Sequence, residues 1–168
     1  RAMRALRSEW DLLWIPNLES WTGAHMPMVR ALRAGRLGIR SRPRDFSTVT
    51  LPADYQAFLA SMSTNRRQQI RRNTKKILSK PGVEVRKVTT RDELGPALDA
   101  LFRLHGKRWR AVGQDGVFDR NVKEREFYEC FAPEALARGW LAVYTLFDGS
   151  EPKAVQIGYV YGRAFLQL

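Results

Sequence analysis

His105 is the first candidate for a proton-exchanging side chain, because an unperturbed imidazole titrates near neutral pH. It lies in the run Leu104-His105-Gly106-Lys107-Arg108-Trp109. Trp109 with Arg108 beside it can form the wall and the anion contact of a ligand pocket. Gln156 carries an amide that can orient a bound ligand where it faces a cleft. Arg67, Arg71 and Lys75 recur at i, i+4 and i+8, so they share one helix face and make a phosphate track geometrically available. Each residue also has a plainer role. His105 and Trp109 stand at helical spacing on an apolar stripe, where packing ranks ahead of catalysis. A run of cations is by default a solvated face. No Ser-His-Asp set and no metal-ligand pattern accompanies these residues.

Cys130 is the only cysteine, which excludes an internal disulfide and every multi-cysteine zinc pattern. Its aromatic setting, Phe127-Tyr128-Glu129-Cys130-Phe131, predicts an inert core residue rather than a nucleophile, and a reducing, cytoplasmic compartment suits it.

The elements that must position these residues follow from periodicity. Trp10 to Ile15 reads as a short buried strand. Residues 25–34 hold a helical pattern closed by Gly35, and residues 37–51 read as extended. After Pro52, the residues Tyr55, Phe58, Leu59 and Met62 mark one face of a helix. Ser63-Thr64-Asn65 can cap a second helix over residues 66–79, which carries Arg66, Arg67, Arg71, Arg72, Lys75 and Lys76 above a thin apolar face of Ile70, Ile77 and Leu78. Val83, Val85 and Val88 suggest a strand. Thr90-Arg91-Asp92-Glu93 matches a capping box, and Leu94, Leu98, Leu101, Phe102, His105 and Trp109 continue the stripe of the helix it opens. Asn121 opens another helix, which Pro133 is expected to break or kink and Gly139 to end. The period then changes to three β-rich runs, 140–147, 154–161 and 164–168, joined by short turns that imply antiparallel pairing.

With 168 residues and 44% hydrophobic content, the chain fits one domain or the adjoining pieces of two. It opens at Arg1 without an initiator Met, which predicts a cut or processed end. No apolar run approaches membrane-spanning length and no signal-peptide pattern opens the sequence. The formal charge of +12 resides entirely in residues 1–88, where 18 Lys/Arg face 6 Asp/Glu; the remainder balances 11 against 11. That field favours an anionic partner, whether nucleic acid, a phosphorylated cofactor, an acidic polymer or a membrane surface, and does not choose among them.

From residue 83 the order strand, helix, helix and three strands resembles the GNAT acyltransferase superfamily. Leu104 to Trp109, then Gly113, Gly116 and Phe118, then Glu126-Phe127-Tyr128 and Ala154 to Tyr159, resemble the CelD-like acetyltransferases of cellulose and exopolysaccharide synthesis. The basic run Arg67-Gln68-Gln69-Ile70-Arg71-Arg72 is a further shared feature. Those proteins are related to FemAB-type aminoacyltransferases, which are built from two GNAT-like halves. The resemblance implies an α+β fold, an α/β mixture with antiparallel strands over 140–168 packed on two helices. It further implies that residues 1–51 end a first GNAT-like half, 52–82 form a basic helical connector, and 83–168 form the front half of a second domain.

The implied activity is transfer of an acyl group from acetyl-CoA or another acyl-CoA to an amine or hydroxyl, on a small-molecule or saccharide acceptor. Relatives bind the CoA pyrophosphate in a loop after the fourth strand, at a helix N-terminus. The binding loop therefore falls beyond Leu168, and a chain ending there is expected to bind acyl-CoA poorly and to be inactive alone. In such a site His105 is a candidate base. Glu126 is another, acting through a water as carboxylates do in some relatives. Tyr144 or Tyr159 can donate to the leaving thiolate. Arg67, Arg71, Arg108, Trp109 and Gln156 are candidate substrate contacts. The alternatives are a nucleic-acid-binding module using the 66–80 helix, which the absence of interleaved aromatics disfavours, and a catalytically silent GNAT-like interaction domain.

Overall fold

The computed structural model describes Ser8, Asp11, Leu12, Ile15, Gly23, Asp45 and residues 25–43, 49–161 and 164–167. Two compact units divide the chain, Arg1–Asp54 and Tyr55–Leu168. In the first, helix α1 spans His25–Ala34. It closes in a Schellman arrangement, with the Leu37 amide on the Leu32 carbonyl at 3.2 Å. The left-handed residue there is Arg36, at φ 57°, and not the expected Gly35. None of the described residues in 37–51 belongs to a strand. Extended sequence alone does not make a strand when no neighbour supplies the ladder. The strand expected over Trp10–Ile15 rests largely on Trp10, Leu13 and Trp14, which lie outside the described residues.

The second unit carries α2 (Tyr55–Ala60), α3 (Thr64–Leu78), β1 (Val83–Lys87), α4 (Arg91–Arg110), α5 (Val117–Arg120), α6 (Val122–Ala137), β2 (Leu141–Asp148), β3 (Glu151–Tyr161) and β4 (Ala164–Gln167). The four strands form one antiparallel sheet in the order β1-β2-β3-β4. This is the mixed α+β architecture expected from the sequence.

Capping fixes where the helices start and stop. The Ser63 hydroxyl accepts from the Arg66 amide at 3.4 Å to begin α3. At α4 the capping box is complete: Thr90 Oγ1 accepts from the Glu93 amide, while Glu93 Oε2 accepts from the amides of Thr89 and Thr90 at 2.7 and 3.1 Å. These bonds hold the Glu93 carboxyl below its ordinary pKa. Gly113 and Gly139, both at positive φ, close α4 and α6, with the Gln114 and Trp140 amides reaching back five residues.

Two expectations are corrected. Pro133 does not break α6, which runs on to Ala137. The bond lost is the one to the Glu129 carbonyl, and only the last turn lies beyond it. The β2–β3 turn is also tighter than expected, because β3 starts at Glu151 rather than Ala154. Gly149 takes a left-handed conformation at φ 62°, and Pro152 pairs at the bulge between Leu146 and Phe147, where a missing N–H is tolerated.

Helices α4 and α6 cover one sheet face. Leu94, Leu98 and Phe102 from α4 and Ala132 and Ala135 from α6 meet Leu141, Val143 and Ile157 from β2 and β3. Leu94 and Val143 are each 1% exposed and form the centre of this core. Cys130 is exposed and not buried as expected. It lies across the helix from Tyr128, Phe131, Ala132 and Ala135, which are the residues that face the core.

Thr90→Ala removes the hydroxyl half of the capping box and is expected to destabilise the domain by about 1 kcal/mol, read by urea unfolding. An unchanged midpoint would show that Glu93 alone holds this helix end.

Candidate functional site

The sequence-predicted residues fall into two groups on opposite faces of the sheet. On the helix side, α4 ends in a cluster built by i, i+4 spacing. The indole N–H of Trp109 donates to His105 Nε2 at 2.9 Å. The imidazole meets the Phe118 ring edge-on at 4.8 Å. Phe118 also packs on Phe102 at 4.7 Å and on Tyr128 at 5.4 Å, so one ring joins α4 to α6. The loop that delivers Phe118 passes close to α4. A Cβ on Gly116 would lie 2.6 Å from His105 Nδ1, and one on Gly106 would lie 2.7 Å from Asp119 Oδ2. Arg110 pairs with Asp119 at 2.7 Å across the same loop.

This geometry sets the state of His105. Nε2 accepts a hydrogen bond, so the neutral ring carries its proton on Nδ1. That nitrogen is buried without a partner against Gly116. The pKa of His105 is lowered from 6.5, first by burial, with Asp119 opposing and Arg108 assisting. The lone pair a general base would use is thus engaged by Trp109. Arg108 is exposed. Glu126 is exposed on α6, and no hydrogen bond joins it to His105.

Tyr159 lies on the same side, against Phe131 at 5.5 Å. Its hydroxyl is buried without a partner, and burial followed by the neighbouring Tyr128 pushes its pKa up to about 12. The phenol therefore stays protonated and can only donate or accept as a neutral group.

The second group lies across the sheet. Strand alternation turns Val85, Tyr144, Leu146, Ala154 and Gln156 away from the α4–α6 layer. With Thr74, Ile77 and Leu78 of α3, and with Val155, they line a cleft of about 350 Å³. Gln156 pairs directly with Tyr144, which in turn pairs with Lys87. Arg67 and Arg71 fall on the helical stripe that includes Thr74 and Leu78, one to two turns nearer the α3 N-terminus. The structure thus groups Gln156 with Tyr144 and the basic helix, and groups His105 with Trp109. It does not join the two sets. Val85, Leu146 and Ala154 were not singled out from sequence. Their alternation with core residues was legible, but the helix that would face them was not.

With this arrangement in view, the comparison with protein families is direct. The family model for an acetyltransferase (GNAT) domain matches residues 64–167, every element from α3 to β4. The match spans more than half of the chain, and the chain belongs to the GNAT acetyltransferase family. No curated protein and no solved structure matches it. Among the described residues, no helix is long and apolar enough to cross a membrane.

Two outcomes test the helix-side cluster. A histidine whose folded pKa is depressed stabilises the fold above its unfolded pKa, and that contribution is lost as pH falls through the window below about 6.5. Urea unfolding is expected to show stability falling on acidification in that window, and His105→Gln is expected to flatten the slope there; the lowered carboxyls, Glu93 among them, titrate lower. Gly116→Ala is expected to push the imidazole off Trp109 at a cost of about 1–3 kcal/mol, seen as a lower denaturation midpoint.

Proposed function

We propose that this protein transfers an acyl group from acyl-CoA to an amine or hydroxyl, with a saccharide precursor as the acceptor class. The observation that carries the reading is the family match laid over an unbroken run of elements, α3 through β4. The finer affinity, to CelD-like enzymes and through them to FemAB-type transferases, rests on the residues around Leu104–Trp109, Gly116, Phe118 and Ala154–Tyr159.

Acyl transfer needs a thioester held beside a nucleophile, donors for the carbonyl oxygen, and a route for the proton. The bound acyl-CoA supplies the thioester.

On the acceptor side, the Gln156 amide and the Tyr144 hydroxyl stand side by side at an open cleft, where they can hold a hydroxyl or amine by both donating and accepting. His105, with its lone pair on Trp109, acts as a positioning residue for the α4–α5 loop. The attacking group passes its proton to water, and a backbone carbonyl can only orient that water by accepting its hydrogen bond.

The test is thiol release by the full-length protein with acetyl-CoA and a panel of amines and saccharides. Turnover with at least one acceptor is expected. Gln156→Ala is expected to raise the acceptor KM about tenfold, one lost hydrogen bond to a bound group, with the acetyl-CoA KM unchanged. No thiol release and no calorimetric binding of acetyl-CoA would end the proposal.

A further inference from the structure

The sheet face opposite α4 and α6 has an unusual division. Register places Val85, Leu146 and Ala154 in one transverse row, and Lys87, Tyr144 and Gln156 in the next. The first row is apolar. The second presents an amine, a phenol and an amide. Helix α3 faces both rows through Thr74, Ile77 and Leu78, and the space between is the cleft of about 350 Å³, within the range of small-molecule sites. Its apolar walls stay wet: Ile77 is 43%, Leu78 49% and Val85 53% exposed. Contiguous exposed apolar surface of this kind marks a place where something docks.

The rim is basic. Several cations of this unit stand in ion pairs, among them Arg86 with Glu84, Arg110 with Asp119, Arg125 with Asp99 and Glu129, and Lys153 with Glu151. Helix α3 contains no acidic residue. Among the described residues, no carboxylate stands within ion-pair distance of Arg71, Lys75 or Lys87. Arg71 lies on the stripe that carries Thr74 and Leu78, and Lys75 borders it. An apolar slot thus opens beside uncompensated positive charge.

We propose that this cleft binds a single-chain phosphate amphiphile. Its alkyl chain lies on the Val85–Leu146–Ala154 row beneath Ile77 and Leu78, and its phosphate is held by Arg71, Lys75 and Lys87. Charge complementarity selects the anion, and the wet apolar floor selects the chain. A nucleic acid would satisfy the cations but leave that floor uncovered, and α3 offers no aromatic side chain on which bases could stack. This is the cleft assigned above to the acceptor, and the amphiphile would be its occupant; the binding is argued from the apolar row and the charges alone and is tested without acetyl-CoA, so that it can fail or stand apart from acyl transfer.

Calorimetric titration of the full-length protein tests this with decyl phosphate and octyl phosphate, both below their micelle concentrations. Inorganic phosphate, neutral decyl maltoside, anionic phospholipid vesicles and a single-stranded RNA oligomer serve as comparisons. One-to-one binding of decyl phosphate is expected, roughly tenfold tighter than octyl phosphate for two extra methylenes. Inorganic phosphate and decyl maltoside should each bind far more weakly.

Ala154→Trp, at an exposed strand position, fills the slot and should abolish the chain-length dependence. Leu78→Gln provides the same test from the helix side should the first variant fail to fold. The double change Arg71→Gln with Lys75→Gln should weaken decyl phosphate about tenfold and flatten its salt dependence. Equal affinity for the two chain lengths, or binding indifferent to the slot variants, would reduce the site to a charged patch and overturn the proposal. So would RNA or vesicle binding tighter than that of the monomeric amphiphile, or no binding of decyl phosphate at all.

Discussion

The two-residue repeat of the β2–β3 pair is the constraint on which the rest depends. Each strand must send successive side chains to opposite faces. Val143 and Ile157 pair and point into the α4–α6 layer; their neighbours Tyr144 and Gln156 pair and point away from it. A slip of one residue would place a phenol and an amide in the apolar core and Val143 in the cleft. Register therefore settles the core and the polar groups of the opposite face in a single act. It is held by the Gly149 turn at one end and by the burial of Val143 at the other.

On the helix side, the aromatic cluster performs a mechanical task. Phe118 fills the angle between α4 and α6, and His105 and Trp109 fasten the loop that presents it. Gly106 and Gly116 are small because α4 and this loop approach one another closely there. A neutral imidazole with one nitrogen bonded to an indole and the other buried is a rigid part. Its depressed pKa is the electrostatic consequence of that burial. His105 is thus engaged by its neighbours, while the Tyr144 and Gln156 side chains stay open to solvent across the sheet.

Helix α3 belongs to this picture as more than a charged tether. Its thin apolar stripe stays largely exposed, with Ile77 and Leu78 on the wall of the cleft at the sheet face that α4 and α6 leave open, and Arg71 and Lys75 stand on or beside that stripe. The family match begins at this helix, which places it within the transferase domain.

Local chemistry was legible from the amino-acid sequence wherever a few adjacent residues decide the outcome. Thr90 and Glu93 satisfy each other's amides, Gly139 supplies a left-handed end, and the strand runs alternate as strands must. The mixed fold followed from the order of those elements. The exposure of Cys130, the continuity of α6 through Pro133 and the early start of β3 did not follow, because each depends on what stands opposite. The same holds for the site. The sequence determined which residues carry protons, charge and amides. Only tertiary structure decided that His105 spends its lone pair on Trp109 while Gln156 meets Tyr144 beneath a basic helix, because helix packing and strand register act between residues far apart in the chain.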